Sequence, residues 1–260
     1  MKESLFMEYH NPTLRIIKIL ELIDKSADGI SLSDISAELG LPKGTISPIL
    51  KTLDACHYIK RSGNLYKIDY RSFELGLRYS SGNNALTIIR RHICELVKQV
   101  GETCQMGVLR GRDVYYLLRE NADTIIQINS NVGTSMPAHI TGLGKALLSG
   151  LSDDEIRTLY DGYEFIDYTP NSITNVDELI KEVNEVRKNG FAFEKEESTP
   201  DIFCIAIPLE EDGSVRGAIS VTIPKYRYSE EAREIIENML VQCKKLIEEN
   251  CYVQNMHMDF

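Results

Sequence analysis

The stretch Gly-Leu-Pro-Lys-Gly-Thr-Ile-Ser-Pro-Ile-Leu-Lys-Thr-Leu, from Gly40 to Leu53, decides the fold of the N-terminal part of the chain. Its large apolar residues are spaced i, i+3, i+4 and i+7, which places them on one stripe of a helix that is predicted to be buried. That stripe consists of Ile46, Ile49, Leu50 and Leu53. The opposite face is small, polar and basic. It carries Thr45, Ser47, Pro48, Lys51 and Thr52.

A shorter helix is predicted just before this stretch. Ser31 is followed three residues later by Asp34, a spacing typical of a helix N-cap, and Gly40 can supply the left-handed conformation with which helices often end. Two short helices separated by Gly-Leu-Pro form a helix-turn-helix, a motif that places its second helix in the major groove of DNA.

Two β-prone segments follow the second helix. They run from Tyr58 to Arg61 and from Leu65 to Ile68, and Ser62-Gly63-Asn64 between them is a turn sequence. A basic hairpin directly after a recognition helix predicts a wing that contacts DNA phosphates. The predicted DNA-binding residues of the helix and the hairpin are Lys43, Thr45, Ser47, Lys51, Thr52, Lys60, Arg61 and Lys67.

The distribution of charge bears on this interpretation. The 260 residues have a formal net charge of −10, but residues 1–70 contain nine Lys and Arg against nine Asp and Glu. All the excess acid therefore lies after residue 70, and salt-sensitive DNA binding by a dimer is physically reasonable. Any small three-helix core would show the same helical periodicity. The order of the elements together with the basic hairpin favours DNA binding.

Composition argues against several other classes of protein. The six cysteines are scattered without a Cys-x-x-Cys pair, which is typical of reduced thiols in the cytoplasm and not of a disulfide framework or a zinc site. No apolar run approaches the roughly 20 residues of a membrane helix, and Met1 to His10 lacks the apolar centre of a signal peptide. We therefore expect a cytoplasmic protein with no membrane partner, metal or cofactor.

The remaining segments alternate between helices and strands. Asn11-Pro12 is predicted to open the first helix, with Asn11 as its cap, and a long helix from Leu86 is predicted to stop at Gly101. Ser152 and Glu155 have the spacing of a capping box. Other predicted helices cover 73–78, 176–189 and 229–249, and a glycine-punctuated loop from His139 is predicted to run into a further helix. Predicted strands cover 104–110, 114–119, 124–129, 191–195, 203–209 and 215–222. This order predicts an α+β domain with an antiparallel sheet.

Four separate motifs, in this order and spacing, resemble the IclR (isocitrate-lyase-regulator) family of bacterial transcription factors. The resemblance extends from about Thr13 to Cys243. The motifs are Gly-Leu-Pro-Lys-Gly-Thr at Gly40–Thr45, Gly-Lys-Ala-Leu-Leu at Gly144–Leu148, Glu196-Glu197 followed by Cys204-Ile-Ala, and Gly-Ala-Ile-Ser at Gly217–Ser220.

The resemblance implies a winged helix-turn-helix at residues 10–70, a linker helix at 71–84 and a GAF-like effector domain at 85–250. It implies dimers or dimers of dimers on palindromic operators, with no catalysis. It also implies control by a small metabolite, commonly a carboxylic acid or a product of aromatic or sugar-acid metabolism, and we favour a repressor. The effector pocket implied by the motifs is lined by Gly142, Leu143, Glu194, Cys204, Ser220 and Thr222.

These residue types suit a small polar ligand. Backbone N–H groups near Gly142 at a helix start can bind a carboxylate, and Ser220 and Thr222, two apart on a strand, present their hydroxyls to one side. Glu194 would repel an acid unless protonated, and it can otherwise accept hydrogen bonds from ligand hydroxyls.

Two positions depart from the family pattern. Pro48 replaces a basic or long polar residue, so the recognition helix should begin at about Gly44 or bend near Ser47. At the position of Glu194 a shorter acidic residue can occur in the family, which indicates that the ligand of this protein differs too.

Two other classes of function remain open from the sequence. A thiol nucleophile and its base could be formed by His139 with Cys104 or Cys204, although Cys204 in an apolar strand is also typical of a core. Alternatively, the C-terminal domain only oligomerises. Glu196 and Glu197 are expected to be a solvated edge or loop feature and not catalytic acids, because adjacent carboxylates on a strand point to opposite faces. Gly142-Leu-Gly-Lys145 lacks the spacing of a phosphate-binding loop.

Overall fold

The computed structural model of the protein describes residues 10–82, 84–122 and 131–260. The chain divides into two compact units, Met1–Gly82 and Asn83–Phe260. The strand predicted at 124–129 lies outside the described residues. Among the helices of the described ranges, no segment combines the length and the apolar character that crossing a bilayer requires.

The first unit is a small helical core with an antiparallel sheet of three strands, in the order β1-β3-β2. Ile19, Ile35, Ile46, Leu50 and Ile59 are fully buried in this core, so the apolar stripe of the recognition helix faces inward as predicted. The elements are α1 (Asn11–Asp24), β1 (Ile30–Ser31), α2 (Leu32–Leu39), α3 (Lys43–Ala55), β2 (Ile59–Ser62), β3 (Leu65–Ile68) and α4 (Tyr70–Gly82).

The helix ends of this unit test the capping predictions. The Ser31 hydroxyl accepts a hydrogen bond from the Asp34 N–H, and Gly40 ends α2 with a φ of 62°, so both predictions are confirmed. The prediction for Asn11 is wrong, because the helix already includes Asn11 and its N-cap is His10. The linker helix α4 is longer than the predicted 73–78, and the two-residue strand β1 was not predicted.

Pro48 lies inside α3 and not in its first turn. The helix begins at Lys43, one residue before the predicted start, with Pro42 as its N-cap. Because proline has no N–H, the Gly44 carbonyl lacks its usual donor four residues later. Pro48 is exposed, so water can reach this part of the helix.

The second unit contains a six-stranded sheet in the order β6-β5-β4-β9-β8-β7, with every pairing antiparallel. This arrangement confirms the predicted α+β class. Its elements are α5 (Asn84–Val100), β4 (Thr103–Arg110), β5 (Asp113–Glu120), β6 (Ser135–Pro137), α6 (Gly142–Leu148), α7 (Asp153–Leu159), α8 (Val176–Asn189), β7 (Ala192–Lys195), β8 (Ile202–Glu211), β9 (Ser214–Pro224) and α9 (Glu230–Val253), with short 3-10 helices at Ala138–Ile140 and Lys225–Arg227.

The sheet is covered on both faces. Helices α5 and α9 pack together over one face, where Ile219 and Val221 of β9 enter the core. Helices α6 and α8 cover the other face. Because side chains alternate along a strand, Ser220 and Thr222 point to the face that carries α6. This alternation gathers the polar residues of several strands beneath one short helix.

Several predicted boundaries in this unit are confirmed. Gly101 follows α5 with a φ of 69°, and Gly190 ends α8 with a φ of 83°. The Ser152 hydroxyl accepts a hydrogen bond from the Glu155 N–H, and the Glu155 carboxylate accepts one from the Ser152 N–H, which completes the capping box.

Candidate functional site

The exposed face of α3 carries the residues predicted to read DNA. Lys43, Lys51 and Thr52 are exposed, whereas Thr45 and Ser47 are half-buried. The Thr52 hydroxyl donates to the Pro48 carbonyl at 3.0 Å, so it is already engaged within the helix. This face therefore offers two ammonium groups and a small-residue surface to a partner.

The hairpin of β2 and β3 adds a second basic surface. Lys60 pairs directly with Lys67 across the two strands, which places two like charges on one face of the sheet. Such a pair is unfavourable unless an anion lies nearby. The Arg61 Nε donates to the Gly63 carbonyl at 2.9 Å, which holds this side chain along the turn.

Most of this basic surface has no internal counter-charge. Within the described ranges no salt bridge joins a carboxylate to the side chain of Lys43, Lys51, Lys60, Arg61 or Lys67. The Lys43 ammonium instead donates to the Ser33 hydroxyl of α2 at 2.7 Å. These cations are thus available to phosphate groups.

In the second unit, all six residues implied for the effector pocket line one cavity. The other lining residues include Gln105, Tyr116, Thr141, Ser198 and Thr199. The six are Gly142, Leu143, Glu194, Cys204, Ser220 and Thr222. The structure therefore brings together side chains that are up to 80 positions apart in the chain.

The cavity is narrow because α6 lies close to the sheet. A Cβ atom on Gly142 would meet the Cys204 Sγ at 3.1 Å, so glycine permits this approach. The volume open to the centres of water-sized spheres is ≈ 40 Å³. A single water requires roughly 10–15 Å³ by the same measure, so the cavity accommodates a few waters or a ligand of a few heavy atoms.

The start of α6 supplies backbone donors to this cavity. The Thr141 hydroxyl caps the helix by accepting from the Gly144 N–H at 3.0 Å. The N–H groups of Gly142 and Leu143, at the first two helical positions, have no acceptor within the helix. Both residues line the cavity, so these donors are placed for a polar ligand.

Glu194 is the acidic group of the cavity and is only 2% exposed. Its Oε1 accepts hydrogen bonds from the N–H groups of Glu197 at 2.7 Å and Ser198 at 3.0 Å, and from the Ser198 hydroxyl at 3.3 Å. Burial raises the pKa of this carboxyl to about 7, although the donated hydrogen bonds oppose that shift. The group is therefore poised between its neutral and charged forms at neutral pH.

The other polar groups of the cavity are uncharged. Burial raises the pKa of the Cys204 thiol to about 12, so the thiolate needed by a nucleophile is disfavoured. The Thr222 hydroxyl lies 3.4 Å from the Gln105 amide oxygen. The Ser220 hydroxyl is buried and has no hydrogen-bond partner among the described residues.

A buried ion pair supports the turn that carries Glu194. The Lys145 ammonium of α6 lies 2.7 Å from Glu197 Oε1 and 3.7 Å from Glu182 Oε2 of α8. The side chain of Lys145 is only 1% exposed. The expectation that Glu197 lies at a solvated edge is therefore wrong. Lys145 within an apolar helical run was the available sequence signal for a buried cation.

Glu196 lies in a loop, which is one of the two places predicted for it. It follows β7 in a turn with a φ of 59°, and its carboxylate binds the Lys225 ammonium at 2.8 Å. The chain reverses here, so the two adjacent carboxylates diverge because of the turn.

His139 does not form a catalytic pair with either cysteine. Its ring lies among the aromatic rings of Tyr160, Tyr163 and Phe165. Neither ring nitrogen has a hydrogen-bond partner within the described ranges, so no thiol–imidazole bond forms. Burial lowers the pKa of His139 to about 4, which disfavours the imidazolium form. Cys104 lies in the core on the opposite face of the sheet.

Comparison with known proteins gives matches along both units. The sequence model described as "Bacterial transcriptional regulator IclR C-terminal" matches residues 78–249, and that described as "IclR helix-turn-helix domain" matches residues 13–63. The HTH-type transcriptional repressor AllR of Escherichia coli (strain K12) is 29% identical over 220 residues, covering 84% of this chain and 81% of AllR. The HTH-type transcriptional regulator XynR of the same strain is 27% identical over 211 residues, covering 80% and 84%.

Solved structures show the same fold. A transcriptional regulator from Rhodococcus sp. RHA1 superposes with a TM-score of 0.83 and 26% identity, covering 95% of this chain and 100% of that one. An IclR homolog from Microbacterium hydrocarbonoxydans, complexed with 4-hydroxybenzoate, has a TM-score of 0.81 and 21% identity, covering 93% and 99%.

Proposed function

The chain belongs to the IclR family of bacterial transcriptional regulators, and we propose that it is a repressor whose operator affinity is controlled by a small carboxylic acid or sugar-acid-like metabolite. The observation that carries this proposal is the convergence of six predicted residues on one cavity of the C-terminal unit. The relative AllR is named a repressor, which supports the sign of regulation.

The predicted reading surface binds double-stranded operator DNA in this proposal. The cations of α3 and of the hairpin formed by β2 and β3 have no carboxylate partners in the described ranges, and they contact phosphates. Thr45 and Ser47 lie on the same helix and face the groove. The site of action is the chromosome, so the protein works in the cytoplasm.

A homodimer, alone or as part of a dimer of dimers, fits the exposed surface of α4. This helix carries large apolar side chains that are about half exposed or more, which is unusual for an isolated surface. They are Tyr70, Phe73, Leu75, Leu77 and Tyr79. We propose that α4 pairs with its copy in a second chain. Two reading surfaces then require a palindromic operator.

The ligand class is supported by the donors of the cavity. The N–H groups of Gly142 and Leu143 can bind one carboxylate, and Ser220 can hydrogen-bond a second polar group. The fold neighbour from M. hydrocarbonoxydans holds 4-hydroxybenzoate, which is itself a carboxylic acid. Because the cavity is only ≈ 40 Å³, we propose a compact acid, or movement of lining side chains around a larger one.

Regulation requires that the acid bind two arrangements of the protein with different affinity. We propose that binding under α6 changes the placement of the paired reading surfaces through α4 and α5. An acid that bound both arrangements equally would change nothing, however tightly it bound.

The test uses the intergenic DNA upstream of the protein's own gene. Fluorescence anisotropy measures the binding of labelled DNA across a salt series, with and without a panel of small carboxylic acids. We expect specific, salt-sensitive binding that one acid weakens. Specific binding that is indifferent to every acid would refute control by a carboxylic acid. Turnover of an acid by the protein would refute the absence of catalysis.

A further inference from the structure

The described residues that line the cavity include no cation that could neutralise a bound carboxylate. Among the described residues that line it, none is Lys, Arg or His, and Glu194 is the acidic one. The Lys145 ammonium lowers the pKa of Glu194 electrostatically, but it does not line the cavity and is held by Glu197 at 2.7 Å. An anionic ligand would therefore meet a carboxylate side chain that is itself only 2% exposed.

The two carboxylate oxygens of Glu194 differ in their hydrogen bonds. Oε1 accepts all three hydrogen bonds that hold the carboxyl to the following turn. Within the described ranges Oε2 accepts none, and the residue lines the cavity. Oε2 can thus carry a proton and donate it to a ligand oxygen while Oε1 keeps the hydrogen bonds that fix the side chain.

On these grounds we propose that the effector carboxylate enters the cavity together with one proton, which lies between Glu194 Oε2 and an oxygen of the ligand. This inference rests on the proposed function, because it concerns the same cavity and the same class of ligand. An O–H bond forms at Glu194 Oε2 and one breaks in the solvent or buffer acid that supplies the proton, and no bond between carbon and oxygen changes. The bound pair then carries one negative charge in place of two.

Among the titratable groups around the cavity, the Glu194 carboxyl is the one that accepts the proton. On β8, Cys204 is a neutral thiol, and on β5 the Tyr116 phenol has its pKa raised by burial, so both stay protonated. In the turn after β7, Glu197 is engaged by Lys145 of α6. Glu182 of α8 faces the same ammonium from 3.7 Å. Burial holds the pKa of Glu194 near 7, in the range where proton uptake is measurable.

The experiment measures the dissociation constants of glycolate and lactate by isothermal titration calorimetry between pH 6 and pH 9. Glycolamide and lactamide serve as neutral analogues. Both acids are ionised throughout, because such carboxyls titrate near pH 4, so any pH dependence belongs to the protein. With its pKa near 7, Glu194 is mostly neutral at pH 6 and mostly ionised at pH 9, and we expect acid binding to weaken by at least about tenfold. Titrations in two buffers of different ionisation heat should show that most of one proton is taken up per acid at pH 8.

Two variants test the assignment. Glu194→Gln keeps an oxygen for the turn and a permanent donor for the ligand, so it should bind the acids without pH dependence and without proton uptake. Glu182→Gln removes a carboxylate outside the cavity and should keep the wild-type profile. A calorimetric unfolding transition of the second unit like that of the wild type shows that each variant is folded.

The outcomes separate the two proposals. Acid binding that is independent of pH in the wild type, or unchanged pH dependence in Glu194→Gln, would overturn proton-coupled binding and leave the effector class standing. Amides that lose as much affinity as the acids between pH 6 and pH 9 would show that the pH dependence does not depend on the charge of the ligand, and would also overturn it. Failure of both acids at every pH, with normal operator binding, would overturn the inference together with a compact carboxylic acid as effector.

Discussion

The buried pair of Lys145 and Glu197 gives the sharpest prediction about stability. In Lys145→Met the side chain remains long and flexible, but the Glu197 carboxylate loses its cation at 2.7 Å while staying 8% exposed. Removing one partner of a buried pair typically costs about 3–5 kcal/mol, because the remaining charge is uncompensated. For a unit of this size, about 2–4 °C is lost per kcal/mol, so we expect the melting temperature to fall by roughly 6–20 °C.

The pH dependence of this loss has a definite sign. Burial already raises the pKa of Glu197, and Lys145 is the largest influence that lowers it. In Lys145→Met the folded protein therefore keeps a proton that the unfolded chain releases, and stability falls as pH rises through that range. The loss of stability of Lys145→Met relative to the wild type should be smaller at pH 5 than at pH 8.

Differential scanning calorimetry can follow the transition of the second unit, and the chain contains no Trp for fluorescence. The double variant Lys145→Met/Glu197→Gln should recover most of the loss, because no unpaired charge remains. A Lys145→Met protein that melts within about 2 °C of the wild type at pH 8 would refute the reasoning, since that shift corresponds to no more than about 1 kcal/mol.

Three further predictions concern the DNA surface, the cavity and the dimer. Lys51→Ala should weaken operator binding in the anisotropy assay. It should also reduce the slope of log K against log salt by about 0.9 for each phosphate that the protein no longer neutralises. The control Lys25→Ala removes the same charge after the first helix and should leave the slope unchanged. Gly142→Ala should place its methyl group 3.1 Å from the Cys204 sulfur. It should leave operator binding intact while the acid concentration for half-release rises at least about tenfold, a loss of roughly 1.4 kcal/mol; an unchanged response would place the ligand elsewhere. Phe73→Asp should yield monomers in analytical ultracentrifugation, because it puts a charge in the proposed α4 pairing; a stable dimer would show that α4 does not form the dimer interface.

Local signals in the sequence were sufficient for much of the fold. The caps at Ser31 and Ser152 depend on residues three apart, and the left-handed glycines at Gly40 and Gly190 act on their own helix ends. Such short-range interactions can be predicted from the sequence without knowledge of the tertiary structure. It predicted the helix-turn-helix, the hairpins and the α+β class, which the structure and the comparisons confirm.

Other features depended on context that the sequence does not display. Strand β1 has only two residues, Ile30 and Ser31, and forms because β3 offers an edge to pair with. Pro48 remains inside α3 because packing of Ile46 and Leu50 stabilises the helix around it. Tertiary packing thus overrides a local penalty.

The candidate site, too, could be predicted from the sequence only in part. The resemblance named six residues that converge on one cavity, but their binding role and the role of the DNA-facing residues stay predictions. Lys145 and Glu197 are 52 residues apart, and nothing local indicates that they meet. The proximity of Glu194 to a turn of backbone N–H donors likewise depends on the fold.

The most direct test of effector control is reciprocal linkage between DNA and the acid. The dissociation constant of the releasing acid is measured on the free protein and on the protein saturated with operator, and operator affinity is measured with and without saturating acid. The account predicts that the two ratios are equal, and of the order of 5- to 150-fold, because coupling free energy is shared by both ligands. Equal affinity of the acid for free and operator-bound protein would contradict control of DNA binding from the C-terminal cavity.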